Sequence, residues 1–339
     1  MTRLVVILTI LIVMASSAVV DASANDELKD LYFGEALYCA FRGEWFDSIA
    51  RLDMELGQFY GLDEPELDSL YYHINHAEFA VGDFELAYRM HHRAGRAITR
   101  VIEGNVEEQV RNEAIFRLAQ IYFQKDQPVN ALHAIERING DVPERIQSDL
   151  AFLRAHIYMA NGRFDEAARI LRKLQGDEDL EGFSTYNLGI ALLRDGKVQE
   201  GLQCLDQAGQ IKSNNPAPLA IKDKSNLVFG TKLLEEQNFE SAKLSLDRVR
   251  LSGPFSNRAL LGSGWADAFE GRFDRALVPW SMLMEREVTD ASVQEAMLAV
   301  PYAYGKLNVH SKAALIYVNA LEKFSKEIDK LCESINCIR

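Results

Sequence analysis

The feature that most narrows the fold of this chain is a motif that returns along most of its 339 residues. Each copy places a large residue beside a small one, an aromatic or aliphatic residue three further on, and a short polar turn. A small residue followed by a bulky one four later then completes it. Clear copies are Leu118-Ala119, Tyr122, Ala131 and Ile135, then Ala155, Tyr158, Gly162, Phe164, Ala167 and Leu171, then Leu188-Gly189, Leu192, Gly196, Gly201 and Leu205. Three more follow, led by Phe229-Gly230, Gly264 and Tyr304, and two weaker ones precede, around Ala36 and Gly82. A helical period of 3.6 brings the residues of each half onto one face, so the copy reads as two helices joined by a turn.

This pattern resembles the tetratricopeptide (TPR) repeat, whose Leu-Gly pair, Tyr, Ala and Phe find counterparts at the positions quoted and whose closing Pro finds one at Pro254. The small position falls at Ala36, Asn75, Ala119, Ala155, Gly189, Gly230, Gly264 and Pro301, at intervals of 34 to 44 residues. The family period is about 34, so several junctions carry insertions. The resemblance implies an all-α fold, an α-α superhelix or TPR solenoid of about eight helix-turn-helix repeats over residues 25–339. It also implies a protein that binds partners and carries no cofactor.

The physics agrees with the pattern. Gly or Ala where two helices cross allows close approach, and one helix pair alone cannot bury its apolar face, whereas stacked pairs can. Pro128 suits the first position of a second helix, and Asp165, Glu166 and Asp274 suit the positive end of theirs. Asn75 and Pro301 depart from the small position, and Pro301 is expected to kink its helix or move its start.

The N-terminus reads as an export leader. Arg3 precedes an apolar or small stretch from Leu4 to Val20, and Ala22-Ser23-Ala24 offers a cleavage site after Ala24. The alternative is an uncleaved membrane anchor, although 17 residues is short for a span. The formal charge of −13 argues against nucleic acid or an anionic membrane as the main partner. Of four cysteines, Cys332 and Cys337 could pair if the helix ends near Asn336, while Cys39 and Cys204 read as small buried hydrophobes.

In the family the first helix of each unit lines the binding groove. Taking the residues three before, one after and four after each small position gives one helical face, and none of its 24 members is charged. Its early part includes Phe33, Leu37, Tyr72, His76 and Phe79. The middle includes Phe116, Phe123, Phe152 and Met159, and the later part Tyr186, Leu193, Trp265 and Tyr302. Such a face suits an apolar partner segment, or else it is covered by the protein itself.

Arg89, Arg93, Arg96 and Arg100 form a basic stripe at helical spacing that suits an anionic partner surface or answers Glu103 and Glu107. His73, His76, His91 and His92 near Glu78 raise a metal site, without the tight ligand spacing that would define one. Gly262-Ser263-Gly264 lies inside a repeat helix and lacks the strand of a nucleophile elbow. The expectation is therefore a non-catalytic protein-binding scaffold or adaptor in a periplasmic, cell-envelope complex. A carrier or sensor of a hydrophobic small molecule or lipid is the alternative, ahead of a metal protein or an enzyme.

Overall fold

The computed structural model describes residues 30–338 apart from positions 63, 65, 66, 68, 69, 71–73, 89, 91–94, 96, 97, 100, 105, 178, 179 and 181. The leader and its cleavage site, the basic stripe, Tyr72, His73, His91 and His92 lie outside the described residues, as do the side chains of Glu78, His76 and Phe79. Among the described residues every regular element is helical, so the all-α class is as expected. Contacts divide the chain into two units, 1–167 and 168–339.

The first unit opens with α1 (Leu31–Phe41) and α2 (Trp45–Phe59), then α3 (Ile74–Ala87). It continues with α4 (Glu108–Gln124), α5 (Pro128–Ile135), α6 (Gln147–Ala160) and the start of α7 (Phe164–Lys173). Its core runs through Phe33, Leu52 and Phe84, then Ile98 and Ile121, then Phe116, Ile135 and Ile157. The second unit holds the rest of α7 with α8 (Phe183–Arg194), α9 (Val198–Ala208), α10 (Pro216–Glu235) and α11 (Phe239–Leu246). After these come α12 (Ser256–Phe269), α13 (Phe273–Met284), α14 (Ala291–Lys306) and α15 (His310–Ile338). Its core passes from Tyr186 and Leu205 through Leu227 and Leu246 to Trp280, Leu283 and Val300.

Seven hairpins share one chain reversal. A single left-handed residue sits in each turn: Gly43, Asp126, Gly162, Gly196, Gln237, Gly271 and Asn308. The amide after it bonds back across the helix end, as Arg163 N to Tyr158 O at 2.8 Å and Arg272 N to Asp267 O at 2.9 Å. This is the Schellman closure, which satisfies carbonyls that a helix end otherwise leaves open. The second helices then start as the sequence suggests. Pro128 occupies the first turn of α5, and α7 begins with Asp165 and Glu166 and ends with Arg172 and Lys173, complementing its dipole at both ends.

The small position has a visible cause. A Cβ on Gly189 would lie 3.0 Å from the Gly201 carbonyl and from Leu205 Cγ, and one on Gly230 would lie 2.6 Å from Leu246 Cγ. Ala36, Ala119 and Ala155 fill the same place with no exposure. Pro301 is buried inside α14, and the helix runs on both sides of it, so the expected shift of its start does not occur. The Cys332–Cys337 bridge is also not formed, because α15 continues through Asn336 to Ile338 and leaves both thiols free and exposed. Cys39 is buried, while Cys204 is half-buried, enough for burial to raise its thiol pKa. No helix among the described residues is long and apolar enough to cross a membrane.

Candidate functional site

The first helices carry the proposed face, and the structure sorts its residues by depth. In the first unit Phe33 and Phe116 are sealed in the core, at 2% and 0% exposure. Leu37, Phe123, Phe152 and Met159 are only half-buried. Phe152 meets the His156 ring edge-on at 4.6 Å, and Phe123 reaches the same ring at 6.1 Å, so α4 and α6 share a small aromatic cluster. In the second unit Tyr186 is buried, Leu193 and Trp265 are half-buried, and Tyr302 is open to solvent.

Trp265 anchors the most developed surface. Gly264 beside it lets the second helix close in, bringing Trp280 edge-on to Trp265 with centroids 4.9 Å apart. Trp280 is fully buried, and its indole N–H donates to the Leu261 carbonyl at 3.1 Å. Trp265 in turn donates to Glu295 on α14 at 2.6 Å, which fixes the half-buried ring. One helical turn on, Phe269 stacks on Trp265 at 5.5 Å and lies 5.2 Å from Phe239. Phe269 is 60% exposed. Further along, Phe273 meets Tyr302 edge-on at 5.9 Å, and Lys306 Nζ lies over the Tyr302 ring at 5.4 Å.

This patch extends beyond the three positions read from each repeat. Phe239 and Phe273 open second helices, and Phe269 lies five residues after the small position, so the rule misses them. Their signal was nonetheless present, since Phe or another bulky residue recurs at the start of the second helix in Phe164, Phe239 and Phe273.

The ionisable groups beside the patch are tied into the fold. Asp267 is fully buried, with Arg272 Nε at 2.9 Å and Lys243 Nζ at 3.0 Å, and Lys243 also donates to Ser263. Ser263 donates to Asp247 at 2.6 Å from inside α12, in a helical setting unlike a nucleophile elbow. Asp223 is held likewise by Arg250 at 2.7 Å. In the first unit Asp83 pairs with Arg117 at 2.9 Å. Burial nevertheless pushes its carboxyl up to about 6, with Arg117 opposing the shift and Glu113 adding to it. Among the described residues no cluster of His, Cys, Asp or Glu has the makings of a metal site.

The tetratricopeptide repeat model matches residues 152–216, the stretch from α6 to the start of α10. No curated protein matches the chain. Among solved structures, a signal transduction ATPase with numerous domains and a tetratricopeptide repeat sensor, from Pyrococcus horikoshii, superposes with a TM-score of 0.55. The identity is 12%, and the match covers 93% of this chain and 55% of that one. PilF of Pseudomonas aeruginosa is 15% identical over 65% of this chain and 95% of its own, with a TM-score of 0.47. YrrB, described as a TPR protein with an unusual peptide-binding site, is 17% identical over 57% of this chain and 92% of its own, at 0.42. At these identities the first likeness is one of fold, and the lower two scores add nothing to it. The sequence match and the hairpin geometry agree: residues 152–216 match the tetratricopeptide repeat, and the described hairpins on either side share its helix-turn-helix form.

Proposed function

We propose that the chain is an exported scaffold that holds a segment of a protein partner in a cell-envelope complex, using the apolar face of its first helices. The observation that carries this reading is the aromatic surface of Trp265, Phe269 and Phe239. Phe269 stays 60% exposed although it stacks on Trp265. Rigid aromatic groups with one open face supply large contact area at little entropic cost, and they dominate the energetics of protein interfaces. The half-buried Phe123, Phe152 and Met159 offer a second foothold in the first unit. Export is supported by Arg3, the apolar stretch from Leu4 to Val20 and the small residues Ala22 and Ala24.

Site-specific photocross-linking in intact cells tests the reading. A probe at Phe269 should yield a discrete protein adduct that a probe at Leu244 does not, since Leu244 is as exposed, at 64%, but helical period turns it to a different side of α11 from Phe239. A retained lipid in native mass spectrometry, with no adduct at Phe269, would instead favour a carrier.

A further inference from the structure

The last helix is too long for the repeat that it closes. α14 has 16 residues and α15 has 29, so the two pack as an antiparallel hairpin over only the first half of α15. Within that half Ala313 and Ala320 are buried, and Ile316 and Phe324 pack against the core of the second unit. From Ser325 to Ile338 the helix continues for roughly 21 Å at 1.5 Å per residue. Ile328, Leu331 and Ile335 on it are 58%, 56% and 53% exposed.

These residues are not scattered. Phe324, Ile328, Leu331 and Ile335 follow at spacings of four, three and four, the alternation that keeps an apolar seam facing a second helix. The seam also carries on the inward row of Ala313, Ile316, Ala320 and Phe324, so the face that meets α14 passes without a break onto the uncovered part.

We propose that the uncovered half of α15 is a homodimer interface, where it pairs antiparallel with the same segment of a second copy. The arrangement has a two-fold axis between residues 329 and 330. Phe324 then meets the other copy's Ile335 and Ile328 meets its Leu331, and each contact occurs twice, as an isologous interface requires. The incoming helix occupies the position beyond the N-terminal end of α14 and runs in the same direction as α14. The second copy's folded body consequently lies at the far end of the pair, clear of the first.

Charge favours this occupant. The chain as a whole is strongly acidic, yet the segment from Leu321 onward balances Lys323, Lys326, Lys330 and Arg339 against Glu322, Glu327, Asp329 and Glu333. The positions that flank the seam are Ser325, Glu327, Cys332 and Ser334, so self-pairing sets no two like charges opposite one another. Glu327 is already paired with Lys330 at 3.1 Å. Because the helix extends from a folded hairpin, its partner need not nucleate it, and a short seam can suffice for a reversible dimer.

Sedimentation equilibrium of the purified chain under reducing conditions, up to about 100 μM, reads the outcome. The mass should double with concentration, and Leu331→Glu, with unchanged helicity by circular dichroism, should remain at one chain. A wild-type chain that stays monomeric throughout, or a Leu331→Glu variant that doubles as readily, overturns the proposal. Direction is read by disulfide trapping with Cys332→Ser and Cys337→Ser as background. Ile328→Cys and Leu331→Cys should cross-link only when the two variants are mixed. Cross-linking of each variant alone would mean parallel strands and overturn the antiparallel pair.

Discussion

Gly264 and Trp280 are in contact so close that a Cβ on the glycine would fall 2.2 Å from the indole nitrogen. The smallest residue and the largest thus occupy one crossing, and the absence of a side chain on α12 is what allows Trp280 to be fully buried.

Gly264→Ala should therefore destabilise the second unit by about 1 to 3 kcal/mol, the cost of overpacking a filled core, despite alanine's better helix propensity. Gly57 in α2 has nothing within 4 Å of its would-be Cβ, so Gly57→Ala should stabilise by roughly 0.5 to 1 kcal/mol. Urea denaturation of both variants checks the opposite signs.

Gln237 closes the α10–α11 turn at a φ of 61°, where the equivalent residue in four other hairpins is glycine. Gln237→Gly should remove the strain of a left-handed residue with a side chain and raise stability by about 1 kcal/mol. An unchanged or lower denaturation midpoint would show that the turn carries no such strain.

Asp83 supplies a dependence on pH. Its folded pKa of about 6 lies above the unfolded value of 3.8, so between these limits the folded state holds the extra proton. Its contribution is fully present below the lower value and is lost as pH rises through the upper one, by no more than about 3 kcal/mol. Asp83→Asn should track the wild type near pH 4 and become the more stable of the two by pH 7. A difference that stays flat across that range contradicts the assignment.

Asp267 ties α12 to Lys243 on α11 and to Arg272 in the following turn. Asp267→Ala should cost on the order of 2 to 4 kcal/mol, since it leaves two cations without their buried acceptor and opens a cavity. Thermal unfolding of the variant measures it.

Much of this was legible in the sequence because the repeat places constraints at fixed intervals. Gly189, Gly230 and Gly264 mark crossings where backbone meets side chain, and Gly162, Gly196 and Gly271 mark reversals, so both declare themselves by residue type. Depth is different. Phe33, Phe116 and Phe152 stand at the same place in their repeats, yet the first two are sealed and the third is half-buried, because helical register gives a side chain's direction and not what covers it. Burial of Asp223 and Asp267 was equally hidden, since their partners Arg250 and Arg272 are recognisable only once the hairpins close. The continuation of α15 past Asn336 follows from the absence of any Gly or Pro there, and it removes the condition on which a Cys332–Cys337 bridge depended.

Binding through the aromatic row is tested most directly by titrating the partner segment cross-linked at Phe269, made as a peptide, against three purified forms of the chain. The account predicts that Phe269→Glu weakens binding at least tenfold, about 1.4 kcal/mol, and that Leu244→Glu leaves it unchanged. Equal affinities for wild type, Phe269→Glu and Leu244→Glu, with all three folded, would contradict it.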